Sequence, residues 1–446
     1  MTAVADSKPR IAPGPLALPV LGNPVWALRR DLHNVIHHHW REHGDIVRFK
    51  IGSRTAHLLA RPEHVEHVIK HPEIYSKTKS YENVRRIMGQ SLVAATGELW
   101  KTQRRIIQPQ FTPKKVETSA PLIAAATERM VARWSDGTVI DVQSEFWQLV
   151  MEILWTTLFS RQLSREVARA FTQTIEHMAR RMMFPLPDSL PTPGNLRFKK
   201  NINVIDDYIR GVIEERKSAT QQVDDWLTRM ILAVDEESNR QMTAQQLHDE
   251  VKNLFFGGQR STVAGFAWLF WALDRFPGVR EKLRHELDSV LNDRTPTAED
   301  LEKLPYTMQV IQESLRLNPP LPAYVRDVLM EDVVDNVPLP VDSMVFICPF
   351  VTHRHPEFWK EPETFMPERF SPENSQERHR YAYLPFGAGP RVCIGNHFTY
   401  LLMHIVLAMV AQKVNLRMVP NGPVIQRTVP QLWARDGLYM QIERRR

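Results

Sequence analysis

The sequence predicts a mainly α protein: one large helical domain over residues 1–446, with small β-sheets near the N-terminus and the C-terminus. Three observations carry this reading. Apolar residues recur at helical spacing through most of the middle of the chain. Strand-like runs are few and short. No repeat of solenoid period and no Gly/Ser linker divides the chain.

Taken in order, the chain opens polar and then runs through a proline-rich stretch at 11–22, whose prolines forbid a signal-peptide or anchor helix. Runs at 46–51, 57–60 and 344–348 predict strands. The 3.6-residue period predicts helices over 122–135, 141–159, 165–182, 203–217, 223–234 and 244–276, and a final long helix over 398–411. Residues 184–195 carry four prolines, so this segment cannot continue a helix and is expected to join two of them. Residues 76–97 are polar and read as irregular. Both segments read as surface connections, with a lid over a site as the alternative.

Composition narrows the class. Apolar residues make up 43% of the chain, enough for a sizeable core and too many for general disorder. The 57 Lys and Arg exceed the 51 Asp and Glu by only 6, and they are interspersed with acids, so no nucleic-acid partner is expected. The two cysteines, Cys348 and Cys393, build neither a disulfide scaffold nor a four-thiolate zinc site, and a reducing compartment fits them. The apolar run at 264–273 is too short to span a bilayer and that at 400–410 carries His404, so no membrane anchor is expected. The reading is a cytoplasmic monomer.

The most informative segment is Phe-Gly-Ala-Gly-Pro-Arg-Val-Cys-Ile-Gly at 386–395. Cys393 lies just before the last predicted helix, whose N-terminal N–H groups favour a thiolate. The glycines let the backbone approach a flat partner and turn its amides toward sulfur. Taken alone, this cysteine could equally be a protease-type nucleophile or an inert buried thiol. Together, however, Phe386, Gly387, Gly389, Arg391, Cys393 and Gly395 resemble the haem-binding signature of the cytochrome P450 family, in which the cysteine is the proximal iron ligand.

The resemblance extends upstream. Glu313-Ser-Leu-Arg316 is similar to the family's E-x-x-R, and Arg369 within 365–370 is similar to the arginine that joins that pair. The resemblance implies that this network holds the cysteine loop and does no chemistry. It also implies that Trp100, Arg104, Arg391 and Arg326 contact the propionates of haem b. On the other side of the haem, residues 256–262 resemble the distal helix. Gly257 and Gly258 stand at the oxygen groove, Ser261 supplies the hydroxyl with Thr262 behind it, and Arg260 replaces the usual acid.

Three readings of Arg260 stand open. It points away from the haem and pairs with an acid elsewhere; it clamps a substrate carboxylate, as in the peroxygenase branch of the family; or the enzyme performs haem chemistry without reductive oxygen activation, such as rearrangement. The family implies a monooxygenase in secondary metabolism that inserts one oxygen atom from O2 into a small apolar substrate: a terpenoid, polyketide, steroid or fatty acid. Ile87, Met88, Leu92, Phe256, Ala323 and Tyr324 are the expected pocket wall. No flavin or iron–sulfur domain follows residue 446 in this sequence, so a ferredoxin and ferredoxin reductase are the expected electron donors. A peroxide-driven peroxygenase and a non-enzymatic haem sensor or carrier remain as alternatives.

Overall fold

The computed structural model describes residues 10–17, 23, 31–183, 190–220, 223–420, 422–428 and 430–445. The helices used below are α1 (Leu32–His43), α2 (Glu82–Met88), α3 (Gly97–Ile107), α4 (Ala120–Ala132), α5 (Val142–Phe159), α6 (Arg165–Met183), α7 (Pro193–Ser218), α8 (Trp226–Leu232), α9 (Ala244–Arg275), α10 (Pro305–Leu317) and α11 (Asn396–Lys413). The strands used are β1 (Ile46–Ile51), β2 (Arg54–Leu59), β3 (Tyr75–Ser76), β4 (Val139–Asp141), β5 (Tyr324–Val328), β6 (Met344–Ile347), β7 (Val414–Met418), β8 (Gln426–Thr428), β9 (Leu432–Ala434) and β10 (Tyr439–Arg444).

Helix α9 is the axis of the molecule. A reciprocal cap starts it: Gln246 N–H donates to Thr243 Oγ1 at 3.2 Å, and Thr243 N–H donates to Gln246 Oε1 at 2.8 Å. From Val263 to Leu273 it is apolar and, Trp271 apart, buried, as befits a helix surrounded by others. Phe146 of α5 stacks on Phe266 and Phe270 of α9, with ring centroids 4.7 and 5.1 Å apart. Helix α11 is likewise apolar on nearly every side and fills the centre beside α4.

The strands form a five-stranded sheet in the order β1-β2-β6-β5-β3, so N-terminal strands pair with strands from the 324–347 region. Strands β2 and β6 run parallel, with Ala56 opposite Met344; the other pairs are antiparallel. Strand β10 pairs with β7 and β4, and β8 with β9 makes a hairpin near the C-terminus. Trp268 Nε1 on α9 donates to the Leu432 carbonyl at 2.9 Å and fixes that hairpin against the central helix.

Two segments differ from the expectation. Helix α7 begins at Pro193, ten residues before the predicted start at 203, with Thr192 Oγ1 accepting from the Asn195 N–H at 3.2 Å. Proline in a first turn gives up an N–H that has no helical partner anyway, so it opens this helix instead of barring it. Residues 190–192 remain a non-helical connection, and 184–189 lie outside the described residues. Residues 76–97 are not irregular: they carry α2 and are pinned at both ends. Arg85 Nη1 donates to the carbonyls of Lys77 and Ala94 at 3.1 and 3.3 Å.

Candidate functional site

The Cys393 loop hangs on a buried ion network. On α10, Arg316 donates from Nε to Glu313 Oε2 at 2.6 Å and from Nη2 to Oε1 at 2.8 Å. Arg369 Nε completes the triad on Glu313 Oε1 at 3.0 Å, and all three side chains are buried. Spare guanidinium N–H groups take the carbonyls of His353, Pro362, Lys360 and Thr364. Satisfied in this way, the network is rigid, whereas removing one partner would strand a buried charge.

His353 carries the connection onward, and sequence reasoning missed it. Its Nε2 accepts the Leu384 N–H at 2.7 Å, two residues before Phe386, and its Nδ1 lies 3.1 Å from the Arg316 carbonyl. A backbone N–H only donates, so the ring proton is on Nδ1. Burial holds this imidazole neutral, with its pKa down at about 3. Beyond it, the loop turns through Gly387 and Gly389, both at positive φ, and Cys393 N–H donates to the Phe386 carbonyl at 2.9 Å. At Gly389 an added Cβ would meet Ile69 Cγ2 at 2.3 Å, so no side chain fits there.

Cys393 is accessible in the chain alone, yet protein surrounds its sulfur deeply enough to desolvate it. The expectation that the following helix favours a thiolate holds only in part. Burial pushes the thiol pKa up, and the Gly395 N–H, Arg104 and Lys77 oppose that rise without overcoming it. Such a sulfur is a poor free nucleophile and is readily deprotonated by a bound metal cation. Cys348 is fully buried, donates to the Pro322 carbonyl at 3.2 Å, and is pushed up to about 12 by burial; it is an inert core thiol.

Around Cys393 the structure gathers cations. Arg104 Nη1 on α3 donates to the Val392 carbonyl at 2.9 Å. Arg391 donates to the Ala95 carbonyl at 2.8 Å, and its guanidinium lies 4.0 Å from the centre of the Trp100 ring. Arg326 on β5 donates to the Val325 carbonyl at 2.9 Å and interacts with the Tyr81 hydroxyl. Lys77 is the member that sequence reasoning missed: its Nζ donates to the Val93 carbonyl at 3.1 Å and lies 4.8 Å from the Tyr81 ring. Burial, then Arg326 and Arg391, push its pKa well below the usual lysine value. Burial and the same neighbour, Arg326, bring Arg391 down to about 10. The only acidic groups among those acting on Lys77, Arg104 and Arg391 are the cysteine itself and the Tyr81 phenol, and no carboxylate is among them. Mutually repelling, half-desolvated cations of this kind suit a ligand that carries at least two negative charges. The two carboxylates of a haem meet that need, and the sulfur meets its iron, so the donor set fits the group.

On α9, Gly257 is accessible, with nothing within 4 Å of an added Cβ, while Gly258 abuts Leu154. Ser261 Oγ donates one turn back to the Gly257 carbonyl at 2.9 Å, and Thr262 Oγ1 donates to the Gly258 carbonyl at 2.6 Å. Arg260 departs from one expectation: among the described residues no acid lies within ion-pairing distance of it. Its guanidinium lies 4.6 Å from the centre of the Trp433 ring, and its Nε is buried without a hydrogen-bond partner. Burial, and next Arg427, bring its pKa down to about 10, with Glu176 opposing at longer range.

The stretch after α2 is clamped to the start of α9. Gln90 N–H donates to Asp249 Oδ2 at 2.9 Å, and Leu92 N–H donates to Glu250 Oε1 at 2.7 Å. Gly89, at φ 57°, lets this contact form, since a Cβ would sit 2.0 Å from Asp249 Oδ2. Burial pushes Glu250 up to about 8. Of the expected wall, Leu92 and Phe256 are buried, while Ile87, Met88, Ala323 and Tyr324 are half-buried.

A cysteine loop held by a buried triad and ringed by cations is the site of a haem-thiolate protein. The chain belongs to the cytochrome P450 family, whose model matches residues 12–439. It is 31% identical to cyclooctat-9-en-7-ol 5-monooxygenase of Streptomyces melanosporofaciens, over 92% of this chain and 90% of that protein. It is 30% identical to pentalenene oxygenase of Streptomyces avermitilis, over 93% and 92%. Its fold matches the crystal structure of the cytochrome P450DA heme domain with a TM-score of 0.92, at 20% identity over 99% of both chains. The chain is therefore a cytochrome P450 monooxygenase, and its family implies a haem-iron cofactor. No helix among the described residues is long and apolar enough to cross a membrane.

Proposed function

We infer that this enzyme inserts one oxygen atom from O2 into an apolar, terpenoid-like small molecule, using haem b held through Cys393. The convergence of Lys77, Arg104, Arg326 and Arg391 near that sulfur carries the cofactor reading. The relatives named for cyclooctat-9-en-7-ol and pentalenene support the substrate class, as do the apolar side chains Met88, Leu92, Phe256 and Ala323.

The haem, when bound, supplies activation of dioxygen, and the thiolate strengthens its tendency to break the O–O bond heterolytically. The remaining work falls to the chain. Lys77, Arg104, Arg326 and Arg391, with the Trp100 and Tyr81 rings, neutralise and orient the propionates. Phe386, Gly387 and Gly395 hold the sulfur, and the Gly395 N–H tempers its charge. Gly257, with nothing near an added Cβ, would leave room for the haem's oxygen ligand, while Gly258 lets α9 pack closely against Leu154. Both hydroxyls are bonded one turn back; the more accessible Ser261 Oγ would exchange its bond to the Gly257 carbonyl for water and pass protons on, while the buried Thr262 Oγ1, on the Gly258 carbonyl, supports the helix. Arg260, seated on Trp433, stands outside this relay. The electrons come from a separate ferredoxin and ferredoxin reductase, and the enzyme works as a cytoplasmic monomer.

The test is the spectrum of the reduced protein under carbon monoxide. The expected result is the red-shifted Soret band of a thiolate-ligated haem, lost in Cys393→Ala. A band of the histidine-ligated type in the wild-type protein overturns the reading.

A further inference from the structure

Five of the 17 histidines fall within α1: His33, His37, His38, His39 and His43. None has a part in the haem site. Two of them are turned into the protein or against its core: His33 is bonded to Thr428 and Gln426, and His37 packs against Phe350. The other three gather on Glu42. His39 Nδ1 lies 3.4 Å from Glu42 Oε2, and His38 Nε2 and His43 Nε2 each lie 3.6 Å from the same oxygen.

These separations are those of ligands sharing a metal. Around a tetrahedral zinc ion with bonds of about 2.0–2.1 Å, neighbouring donor atoms stand about 3.3–3.4 Å apart. The ligand atoms of His38, His39 and Glu42 all lie within 4.8 Å of one another. His39 Nδ1 is a buried atom with no hydrogen-bond partner. Glu42 has no lysine or arginine in ion-pairing distance among the described residues; its charged contacts are these three imidazoles. The spacing explains the grouping, because positions 38 and 42, or 39 and 43, are i,i+4 neighbours on one helix face.

The backing is firm as well. His43 stacks on His39, with centroids 5.6 Å apart and planes at 8°, and Phe49 of β1 meets His39 edge-on at 5.9 Å. Only 14% of the His39 side chain is exposed, while His38 and Glu42 stand in solvent, so an ion has open access to one fixed ligand and two adjustable ones.

We propose that His38 Nε2, His39 Nδ1 and the Glu42 carboxylate form a surface site for a divalent transition ion of the zinc class, with water in the fourth position. Bound there, the ion ties the last turns of α1 together on the face opposite the core residues Ile36 and Trp40. The site is separate from the haem iron and does not depend on the catalytic reading.

The haem-loaded full chain, stripped with a chelator, is dialysed against zinc chloride, and the bound zinc is measured by atomic emission, which iron does not disturb. The expected result is one equivalent bound at micromolar free zinc. Affinity should be weakened at least about tenfold in both Glu42→Gln and His38→Asn, while the carbon monoxide spectrum of each variant is unchanged. Zinc should also raise the thermal midpoint of the wild type and leave that of Glu42→Gln where it was. Retention of full affinity in both variants places the ion on other histidines and overturns the proposal, as does an absence of stoichiometric binding in the wild type.

Discussion

Replacing His353 by leucine tests whether the ion network truly supports the cysteine loop. The imidazole is wholly buried and joins the two through the Arg316 carbonyl on one side and the Leu384 N–H on the other. Leucine is close in bulk and satisfies neither group. Each buried polar group left unpaired costs about 1–3 kcal/mol, so the pair costs about 2–6 kcal/mol. That is a large part of a typical folding free energy of about 5–15 kcal/mol. The loss falls two residues from Phe386, whose carbonyl takes the Cys393 N–H. The haem should therefore be held less well even where the fold survives. The assay is transfer of haem to an excess of an apoprotein acceptor, followed by absorbance, alongside thermal denaturation of the loaded enzyme. A rate increase of about tenfold or more is expected, since each 1.4 kcal/mol is a factor of ten, together with a lower midpoint. A variant that keeps both the wild-type transfer rate and the wild-type midpoint refutes the argument.

Two further outcomes follow from groups on α9. Glu250 binds its proton more tightly in the folded chain than in the unfolded one, its pKa being raised to about 8 by burial. Stability it contributes is therefore present below the unfolded carboxylate pKa and is lost as pH rises toward 8, by at most about 1.4 kcal/mol per pH unit. Thermal midpoints of wild type and Glu250→Gln, measured from pH 5 to about 8, should diverge with the variant ahead at the alkaline end; parallel curves refute the assignment. Arg260→Ala should keep O2-driven turnover, whereas Ser261→Ala should lose about a hundredfold in product formed per reductant consumed. Loss of O2-driven turnover with retained peroxide-driven turnover in Arg260→Ala would put that guanidinium in the oxygen chemistry.

What could be read from the sequence was local. Helix α9, expected over 244–276, spans Ala244–Arg275, because apolar residues recur at helical spacing through it. The cysteine loop and the Glu313–Arg316 pair were visible for the same reason: each lies within ten residues. What escaped depends on contacts between distant segments. Lys77 sits in a polar stretch with no pattern to mark it, and only folding brings it beside Arg326 and Arg391. His353 is one histidine among many until Leu384 and Arg316 close on it. Residues 76–97 look irregular because their order comes from carboxylates on another helix, Asp249 and Glu250, and from Arg85 reaching back over its own turn. The thiol of Cys393 shows the limit of a single-cause argument, since the helix end acts in the expected direction and burial outweighs it.

Gly265 has a consequence for the whole catalytic chamber. At this point α9, α10 and α11 converge, and a methyl group would lie 3.4 Å from Met403 Cε and 3.8 Å from Leu315 Cδ2. The position is buried, about two helical turns beyond Gly257. The absence of a side chain at this point thus sets how closely α9 approaches α10 and α11, like the throat of a caliper. An alanine here would sit at ordinary contact distance, whereas a longer side chain would have to displace Met403 or Leu315 and so shift α11 or α10 against α9.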